Sequence, residues 1–366
     1  MTHSSSVASR PRILPALAQW LQPLTDRQAI NDLLGSIDPL WSLDAIKARV
    51  EQIIEETADT RTLVLRPNRL WRGHQAGQHT LVEVEIKGVK HLRSYSLSSA
   101  PGDERVTITV KRQPGGRVSS FLHERVHIDD VITLGSPTGE FVVAEPIPPK
   151  LLLIGAGSGI TPLMSILRDL HAQQHAAGVR EIVLLQICRN EGDAIFGKAL
   201  DELAAHWPAL RLIRHYTARS GRLDARGLAA LIPDFDGFDT WLCGPAAFMS
   251  ELQTLWQEHG IADRLRMERF GTAITPAASD DGRARDIRCF KSERSFESRG
   301  QTLLAEAEQA GLTPRYGCRI GICRSCQCRK RSGITRNLLT GEINGDPDQL
   351  IQLCISAAHS DLQLDL

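Results

Sequence analysis

The chain has 366 residues, and a typical domain of about 150 residues predicts two or three domains. Hydrophobic residues make up 42% and charged residues 23%, which is the composition of a globular protein and excludes wholesale disorder. Forty-three basic residues balance 43 acidic ones, so no global charge favours nucleic acid as a partner. No apolar run approaches the roughly 18 residues that a membrane-spanning helix needs. The polar N-terminus lacks the apolar centre of a signal peptide, so we expect a cytoplasmic, reducing location.

Residues 1–45 are predicted to form a helical N-terminal extension. Apolar residues recur at helical spacing from Ile13 to about Val50, which predicts one or two amphipathic helices. We expect the extension to pack against the next domain. Docking on a membrane or on a partner protein is the alternative, although the segment lacks the dense basic face that favours membrane binding.

Residues 46–147 show hydrophobicity with a period of two. Leu81, Val84 and Ile86 alternate with glutamates, and the same alternation recurs from Val106 to Val110. Turn-forming Gly and Pro residues separate these short segments. Strands of this length and spacing predict an antiparallel β-barrel or sandwich.

Over residues 148–271 the pattern changes to predicted strands that alternate with predicted helices. An apolar run at Leu151–Ile154 leads into a Gly-rich turn and a helical segment, and three further strand candidates follow. This order predicts a parallel α/β sheet that is covered on both faces. Residues 272–286 are small, polar and charged and are predicted to be a linker. Residues 287–366 form the third predicted unit.

Five of the eight cysteines lie in the last 50 residues, where a disulfide explanation is disfavoured. Four of them have the spacing C-x4-C-x2-C with a distant fourth member, namely Cys318, Cys323, Cys326 and Cys354. This is the plant-type [2Fe–2S] spacing, and Gly317 and Gly321 suit the tight loop that it requires. A four-cysteine zinc site is the alternative, but zinc ribbons pair two C-x2-C knuckles and only one is present. Cys328 is expected not to be a ligand.

The segment YGCRIGICRSCQC resembles a plant-type ferredoxin domain of the β-grasp fold. One departure from that family is the run 315–336, which holds seven basic residues and no acidic ones. Plant-type ferredoxins usually present acidic surfaces to their partners. The run is either a solvated loop or a docking patch for an acidic partner or for the chain's own flavin domain.

The sequence Arg93-Ser-Tyr95-Ser96-Leu97 resembles the flavin-binding signature of the ferredoxin–NADP reductase superfamily. An arginine can bind a phosphate with two hydrogen bonds, a tyrosine can cover the flavin, and a serine can reach the flavin N5 edge. Two further motifs of that family surround it, an A-G-Q turn at 76–78 and a G-x-x-G-x-F-like segment at 135–141.

A second segment points to a pyrophosphate and therefore to FAD rather than FMN. Gly116-Arg117-Val118-Ser119 opens a predicted helix, and the N-terminus of a helix binds anions. The resemblance also places Lys111 among the candidate cofactor contacts. Four motifs in the family's order make an accidental match a poor explanation.

The nucleotide-binding motif is Gly155-x-Gly157-x-Gly-x-Thr161-Pro162, which follows a strand and opens a helix. It departs from the ordinary dinucleotide fingerprint but matches the turn of the reductase superfamily. Later, Cys243-Gly244-Pro245 resembles the family's C-G-P motif, which implies a thiol beside the nicotinamide. Glu268, in the closing strand, is implied as a polar neighbour of that ring. We therefore assign Ser96, Cys243 and Glu268 as the candidate catalytic residues.

Arg219 and Ser220 occupy the positions at which NADP-using relatives bind the 2′-phosphate, and no acid lies between Arg219 and Arg222. NADPH is therefore preferred as the donor, with NADH as the alternative. The whole pattern implies an NAD(P)H-dependent reductase that passes electrons through FAD and a [2Fe–2S] cluster to a fatty-acid desaturase or an oxygenase or hydroxylase. No nucleic acid or transmembrane segment is expected, and peripheral membrane association stays open. The alternatives are a zinc-bearing regulatory or structural flavoprotein and a general diaphorase without a dedicated partner.

Overall fold

A computed structural model describes residues 27–173, 181–270, 283–317, 319, 321 and 324–366. Within these ranges no helix is long and apolar enough to cross a membrane. Helix α1 spans Arg27–Ile37, and strand β1 begins at Ile46. The predicted helical region, which reached about Val50, therefore extends too far, because residues from Ile46 onward form strand β1, which lies between two other strands of a sheet. The earlier part of the predicted extension lies outside the described residues.

The first sheet is an antiparallel barrel, which confirms the predicted fold of this region. Its strands run in the order β4-β3-β6-β1-β2-β5. A bridge between Leu97 and Ile108 joins the two edge strands and closes the barrel around a core of buried aliphatic side chains. The elements are β1 (Ile46–Thr57), β2 (Thr60–Pro67), β3 (His79–Ile86), β4 (Val89–Ser96), β5 (Val106–Lys111), α2 (Arg117–Glu124) and β6 (Val131–Leu134).

The second sheet is entirely parallel and has the order β11-β10-β7-β8-β9. Alternate residues of its central strand enter opposite cores, with Leu151 and Leu153 on one face and Leu152 and Ile154 on the other. A strand buried on both faces explains the continuous apolar run in the sequence. The elements are β7 (Lys150–Ala156), α3 (Ile160–Ala172), β8 (Glu181–Cys188), α4 (Gly197–His206), β9 (Leu210–Tyr216), α5 (Thr217–Ser220), α6 (Ala225–Leu231), β10 (Asp239–Cys243), α7 (Ala246–Glu258) and β11 (Leu265–Glu268).

The C-terminal region forms a mixed sheet of order β13-β12-β19-β14-β17 and a small sheet of order β16-β15-β18. Its first strand begins at Arg285, two residues before the predicted boundary, and most of the predicted linker lies outside the described residues. Thr302 caps helix α8 by accepting a hydrogen bond from the Ala305 amide. The elements are β12 (Arg285–Cys289), β13 (Arg294–Ser298), α8 (Leu303–Gln309), β14 (Gln327–Ser332), β15 (Thr335–Asn337), β16 (Ile343–Asn344), β17 (Gln349–Gln352), β18 (Ser356–Ala358) and β19 (Leu362–Leu364).

Helix α3 fixes the parallel sheet against the barrel. The Arg168 guanidinium donates to the Ser98 carbonyl at 2.6 Å, and the Ser165 hydroxyl donates to the Ser99 carbonyl at 2.6 Å. Ser98 and Ser99 directly follow the candidate flavin motif, and α3 begins directly after the Gly-rich turn. The contact between α3 and Ser98–Ser99 therefore holds the candidate flavin motif close to the Gly-rich turn.

Candidate functional site

A cavity of about 1060 Å³ lies where the three folded regions meet. Twelve of the predicted site residues line it: Arg93, Tyr95, Ser96, Lys111, Gly116, Arg117, Val118, Ser119, Gly157, Thr161, Gly244 and Pro245. Seven others do not: Leu97, Gly155, Pro162, Arg219, Ser220, Cys243 and Glu268. The cavity therefore unites the flavin motif with the nucleotide turn, as the sequence motifs require.

The barrel side of the cavity depends on a close backbone contact at the A-G-Q turn. Gly77 has φ +93°, and a Cβ there would lie 2.0 Å from the carbonyl oxygen of Phe141. The next residue, Gln78, accepts a hydrogen bond from the Leu97 amide. The turn thus ties the G-x-x-G-x-F-like segment to the end of the Arg-x-Tyr-Ser strand, which explains why these motifs occur together.

Strand β4 and helix α2 present polar groups to this side of the cavity. The pKa of Tyr95 is raised strongly because its phenol is buried, so the hydroxyl stays neutral. Gly116 caps α2 without a side chain, and a Cβ there would meet the Ser119 hydroxyl at 2.5 Å. The open N-terminus of α2 leaves backbone amides that suit a phosphate group. Leu97, in contrast, is fully buried in the barrel core.

The nucleotide side depends on a close approach between the Gly-rich turn and the end of strand β10. A Cβ at Gly159 would lie 2.1 Å from the carbonyl oxygen of Cys243. A Cβ at Gly155 would meet the backbone of Ile160 at 3.0 Å, so this glycine lets helix α3 pack on strand β7. The Thr161 hydroxyl donates to the Ser158 carbonyl at 2.9 Å and closes the turn.

Glu268 joins the two halves of the site. One of its carboxylate oxygens accepts a hydrogen bond from the Ser96 hydroxyl at 3.2 Å, and the other lies 3.1 Å from Nδ1 of His79. The side chains of His79 and Glu268 are each only 12% exposed. Nε2 of His79 lies 3.2 Å from the Thr138 hydroxyl. His79 was missed by the sequence reasoning, although it directly follows the A-G-Q turn.

Cys243 pairs with Glu268 in the register of strands β10 and β11. Burial and the neighbouring charge of Glu268 hold the pKa of its thiol well above the ordinary value, so the thiol is neutral. Cys243 is fully buried behind Gly244 and Pro245, which line the cavity. A direct contact between its sulfur and the nicotinamide stays a prediction.

The charged side chains that line the cavity in the described part of the chain are mostly basic. Five are Lys or Arg and one is acidic. They are Arg93, Lys111, Arg117, Asp193, Arg189 and Arg319. An excess of cations in a cavity favours anionic ligands such as the pyrophosphates of FAD and of a nicotinamide dinucleotide. The residues present therefore fit both groups.

The end of strand β8 carries a charged pair at the cavity wall that the sequence prediction did not include, while the predicted role of Arg219 and Ser220 stays a prediction. Arg219 and Ser220 lie on the exposed single-turn helix α5. Arg189 and Asp193 instead line the cavity at the end of strand β8 and form a 3.0 Å ion pair. The signal that could have indicated them is a charged pair directly after the second parallel strand, where dinucleotide folds bind the ribose.

Two of the four predicted cluster ligands lie in the described residues, and two, Cys318 and Cys323, lie outside them. Cys326 and Cys354 are both buried, and a hydrogen bond from the Cys354 thiol is the main cause that lowers the pKa of Cys326 to about 6. A thiolate is the form of cysteine that binds iron. Burial raises the pKa of Cys328 to about 11, as expected for a structural thiol. The donor chemistry of the Cys326–Cys354 pair fits a [2Fe–2S] cluster.

Much of the basic run 315–336 is already engaged within the C-terminal region. Arg319 pairs with Glu308, and two other arginines of the run pair with Asp348 and Asp365. Lys330 is fully buried and donates to the carbonyl oxygens of Gly333 and Asn344. The exposed charge of the run is therefore smaller than its composition indicates.

Comparison with known proteins identifies the family. Three family models match the chain in order, an oxidoreductase FAD-binding domain over residues 47–143, an oxidoreductase NAD-binding domain over 153–254 and a 2Fe-2S iron-sulfur cluster binding domain over 288–358. An NADPH oxidoreductase of Mycobacterium tuberculosis H37Rv is 36% identical over 92% of this chain and 88% of its own length. The chain belongs to the three-domain FAD, NAD(P) and [2Fe–2S] reductases of the ferredoxin–NADP reductase superfamily.

Reductase components of oxygenase systems are also similar to this reductase. The ferredoxin reductase component of a 3-ketosteroid-9-alpha-monooxygenase from Mycolicibacterium smegmatis is 31% identical over 81% of this chain and 88% of its own length. The structure of phthalate dioxygenase reductase has a TM-score of 0.61 at 23% identity and covers 88% of this chain and 98% of its own, so the two share the fold. The matches confirm the predicted FAD, NAD(P)H and [2Fe–2S] chemistry, and zinc is not favoured.

Proposed function

We propose that the reductase transfers electrons from NADPH through FAD and the [2Fe–2S] cluster to an oxygenase-type protein, a hydroxylase or a fatty-acid desaturase. The single observation that carries this proposal is the shared cavity, which has walls from the flavin motif, the nucleotide turn and the cluster-bearing loop. When bound, FAD accepts an electron pair as hydride and releases electrons one at a time, which is the exchange that a one-electron cluster needs.

The barrel residues bind and orient the flavin in this proposal. Arg93 and the amides at the start of α2 hold the phosphates, because both present donors to the same cavity. Tyr95 covers the flavin with its neutral ring. Lys111 is held at 2.7 Å by Asp59 and contributes positive charge at the cavity wall. Leu97 supports the motif from the barrel core.

Ser96, Glu268 and Cys243 act where the nicotinamide meets the flavin. Ser96 presents its hydroxyl to the flavin N5 edge, and Glu268 fixes the orientation of that hydroxyl by accepting its hydrogen bond. The neutral thiol of Cys243, which directly precedes the cavity-lining Gly244 and Pro245, is assigned as an uncharged neighbour of the nicotinamide. Gly244 and Pro245 flank the nicotinamide, since both line the cavity one strand away from the Gly-rich turn.

The Gly-rich turn and two arginines are assigned to the dinucleotide. Gly157 and Thr161 line the cavity and hold the pyrophosphate, while Gly155 and Pro162 maintain the packing of the turn on its strand and helix. The relative that is named an NADPH oxidoreductase supports NADPH as the donor. Arg219 and Ser220 are the residues predicted from sequence to bind the 2′-phosphate. Arg189 is the alternative, because it lines the cavity.

The partner is proposed from the named relatives and from the remaining exposed charge. Relatives named as monooxygenase reductase components support an oxygenase-type acceptor. Arg315 and Arg324 are exposed members of the basic run and would face an acidic patch on that acceptor. We propose a cytoplasmic location, with peripheral membrane association if the acceptor is membrane-bound. We propose domains at residues 46–147 and 148–271 as predicted, and a third domain that begins at Arg285, where its first strand begins.

An anaerobic absorbance titration tests the proposal. We expect NADPH to bleach the flavin bands together with the broad cluster absorbance, and to do so at lower concentration than NADH. Addition of the oxidised acceptor protein should then restore both bands. Bleaching of the flavin over an unchanging cluster spectrum would contradict the electron path, and equal partner-free and partner-dependent oxidation rates would favour a general diaphorase.

A further inference from the structure

The cluster-bearing loop contributes two side chains to the wall of the flavin cavity. Tyr316 and Arg319 line the cavity together with Arg93 and Arg117 of the barrel domain. The Arg93 guanidinium also donates a hydrogen bond to the carbonyl oxygen of Gly317 at 3.4 Å. The [2Fe–2S] domain therefore touches the flavin motif directly at its candidate phosphate-binding arginine.

Three guanidinium groups converge on this end of the cavity. His91 also lines the cavity, and its pKa is lowered by burial and by the positive charges of Arg117, Arg93 and Arg319. The three guanidinium groups therefore lie near the same imidazole ring. Among the described residues, no acidic side chain pairs with Arg93 or Arg117. Like charges that are brought together in a partly enclosed site repel one another unless an anion lies between them.

Arg319 is held in one orientation towards this site. Its guanidinium stacks 3.9 Å from the centre of the Tyr316 ring, and its Nη1 donates to Glu308 at 2.9 Å with Nη2 on the second carboxylate oxygen. Its side chain is 35% exposed. A guanidinium fixed by a stack and by two hydrogen bonds has lost its rotational freedom before a ligand binds.

We propose that Arg319 of the [2Fe–2S] domain is a FAD-binding residue, which contacts the FAD pyrophosphate together with Arg93 and Arg117. The flavin then bridges two domains of the chain. This inference rests on the proposed FAD site and goes beyond it. Because linkage is reciprocal, any gain in FAD affinity from Arg319 is an equal gain in docking of the [2Fe–2S] domain on the loaded flavin domain.

The test measures FAD affinity of the full-length apoflavoprotein by quenching of FAD fluorescence. We expect Arg319→Gln to weaken FAD binding about tenfold at low salt, the effect of losing one charge-assisted contact. Arg299→Gln is the matched control, because Arg299 belongs to the same domain, pairs with Glu297 and lies outside the cavity wall. The control should bind FAD within about twofold of the unmodified chain.

Two further measurements separate a charge effect from a folding effect. Arg319→Lys keeps the charge and should restore most of the affinity, and the gap between Arg319→Gln and the unmodified chain should narrow at high salt because screening weakens the contact. The visible absorbance of the cluster reports whether each variant keeps its [2Fe–2S] domain intact. A salt-independent loss that Arg319→Lys does not restore would overturn the inference.

Arg93→Gln distinguishes failure of this inference from failure of the proposed flavin site. If Arg93→Gln leaves FAD affinity unchanged, the proposed phosphate site is wrong and the inference falls with it. If Arg93→Gln weakens binding and Arg319→Gln does not, the FAD site stands and Arg319 serves only the cluster loop. Weakening by both variants, with the salt dependence above, supports the bridging flavin.

Discussion

Substitution of Gly159 by alanine tests whether the distance between the Gly-rich turn and strand β10 sets the rate of hydride transfer. The new Cβ would lie 2.5 Å from the carbonyl carbon of Cys243, whereas carbon atoms in contact are about 3.5 Å apart. The turn and the C-G-P segment must therefore separate by roughly 1 Å. Overpacking of this kind costs about 1–3 kcal/mol of stability. A displacement of about 1 Å in a positioned substrate can lower the rate about a hundredfold.

The assay is NADPH-dependent reduction of ferricyanide, which the flavin supports without the cluster. We expect Gly159→Ala to lower kcat about a hundredfold and to lower the Tm. Gly333→Ala is the matched control, because its Cβ would lie 2.1 Å from the Asp361 carbonyl oxygen in the [2Fe–2S] domain. The control should lose stability but keep ferricyanide reduction. A Gly159→Ala protein with kcat within twofold of the unmodified chain would refute the reasoning.

Three further predictions concern the cluster, the dinucleotide and pH. Cys326→Ser should abolish cytochrome c reduction and spare ferricyanide reduction, and survival of both activities would exclude the cluster from the path. Arg189→Ala should raise the KM for NADPH about tenfold and leave that for NADH nearly unchanged; the same effect at Arg219→Ala instead would restore the assignment made from sequence. Burial lowers the pKa of His74, so the unfolded chain takes up its proton first and stability falls as pH drops below about 6.5. His74→Gln should lose less Tm between pH 7.5 and 5.5, and an equal loss would contradict this assignment.

The sequence predicted the three folds because each has a local signature. Alternation of Val and Ile with polar residues identified the barrel strands, and the continuous run at Leu151–Ile154 identified a strand buried on both faces. The glycine motifs were equally readable, since close contacts such as that of Gly77 with Phe141 leave no room for a side chain. Local patterns of this kind do not depend on distant parts of the chain.

Contacts between distant segments could not be predicted in this way. The distance between His79 and Glu268 in sequence is 189 residues, and no local pattern pairs them. Arg189 and Arg219 both follow parallel strands, and only the shape of the cavity separates the one that lines it from the exposed one. The end of α1 was misplaced for another reason, because Ile46–Thr57 mixes apolar and charged residues in a way that fits a helix until its sheet partners are known.

Covalent linkage lets the [2Fe–2S] domain dock on the flavin domain through few contacts. In one chain, docking is intramolecular and occurs at an effective concentration on the order of millimolar, so a few contacts are enough to populate it. The hydrogen bond from Arg93 to Gly317 and the cavity-lining pair of Tyr316 and Arg319 are contacts of this kind. A larger interface would hold the cluster at the flavin and slow its delivery of electrons to an external acceptor. If bound FAD adds a contact with Arg319, the [2Fe–2S] domain docks on the FAD-loaded flavin domain without needing such a large interface.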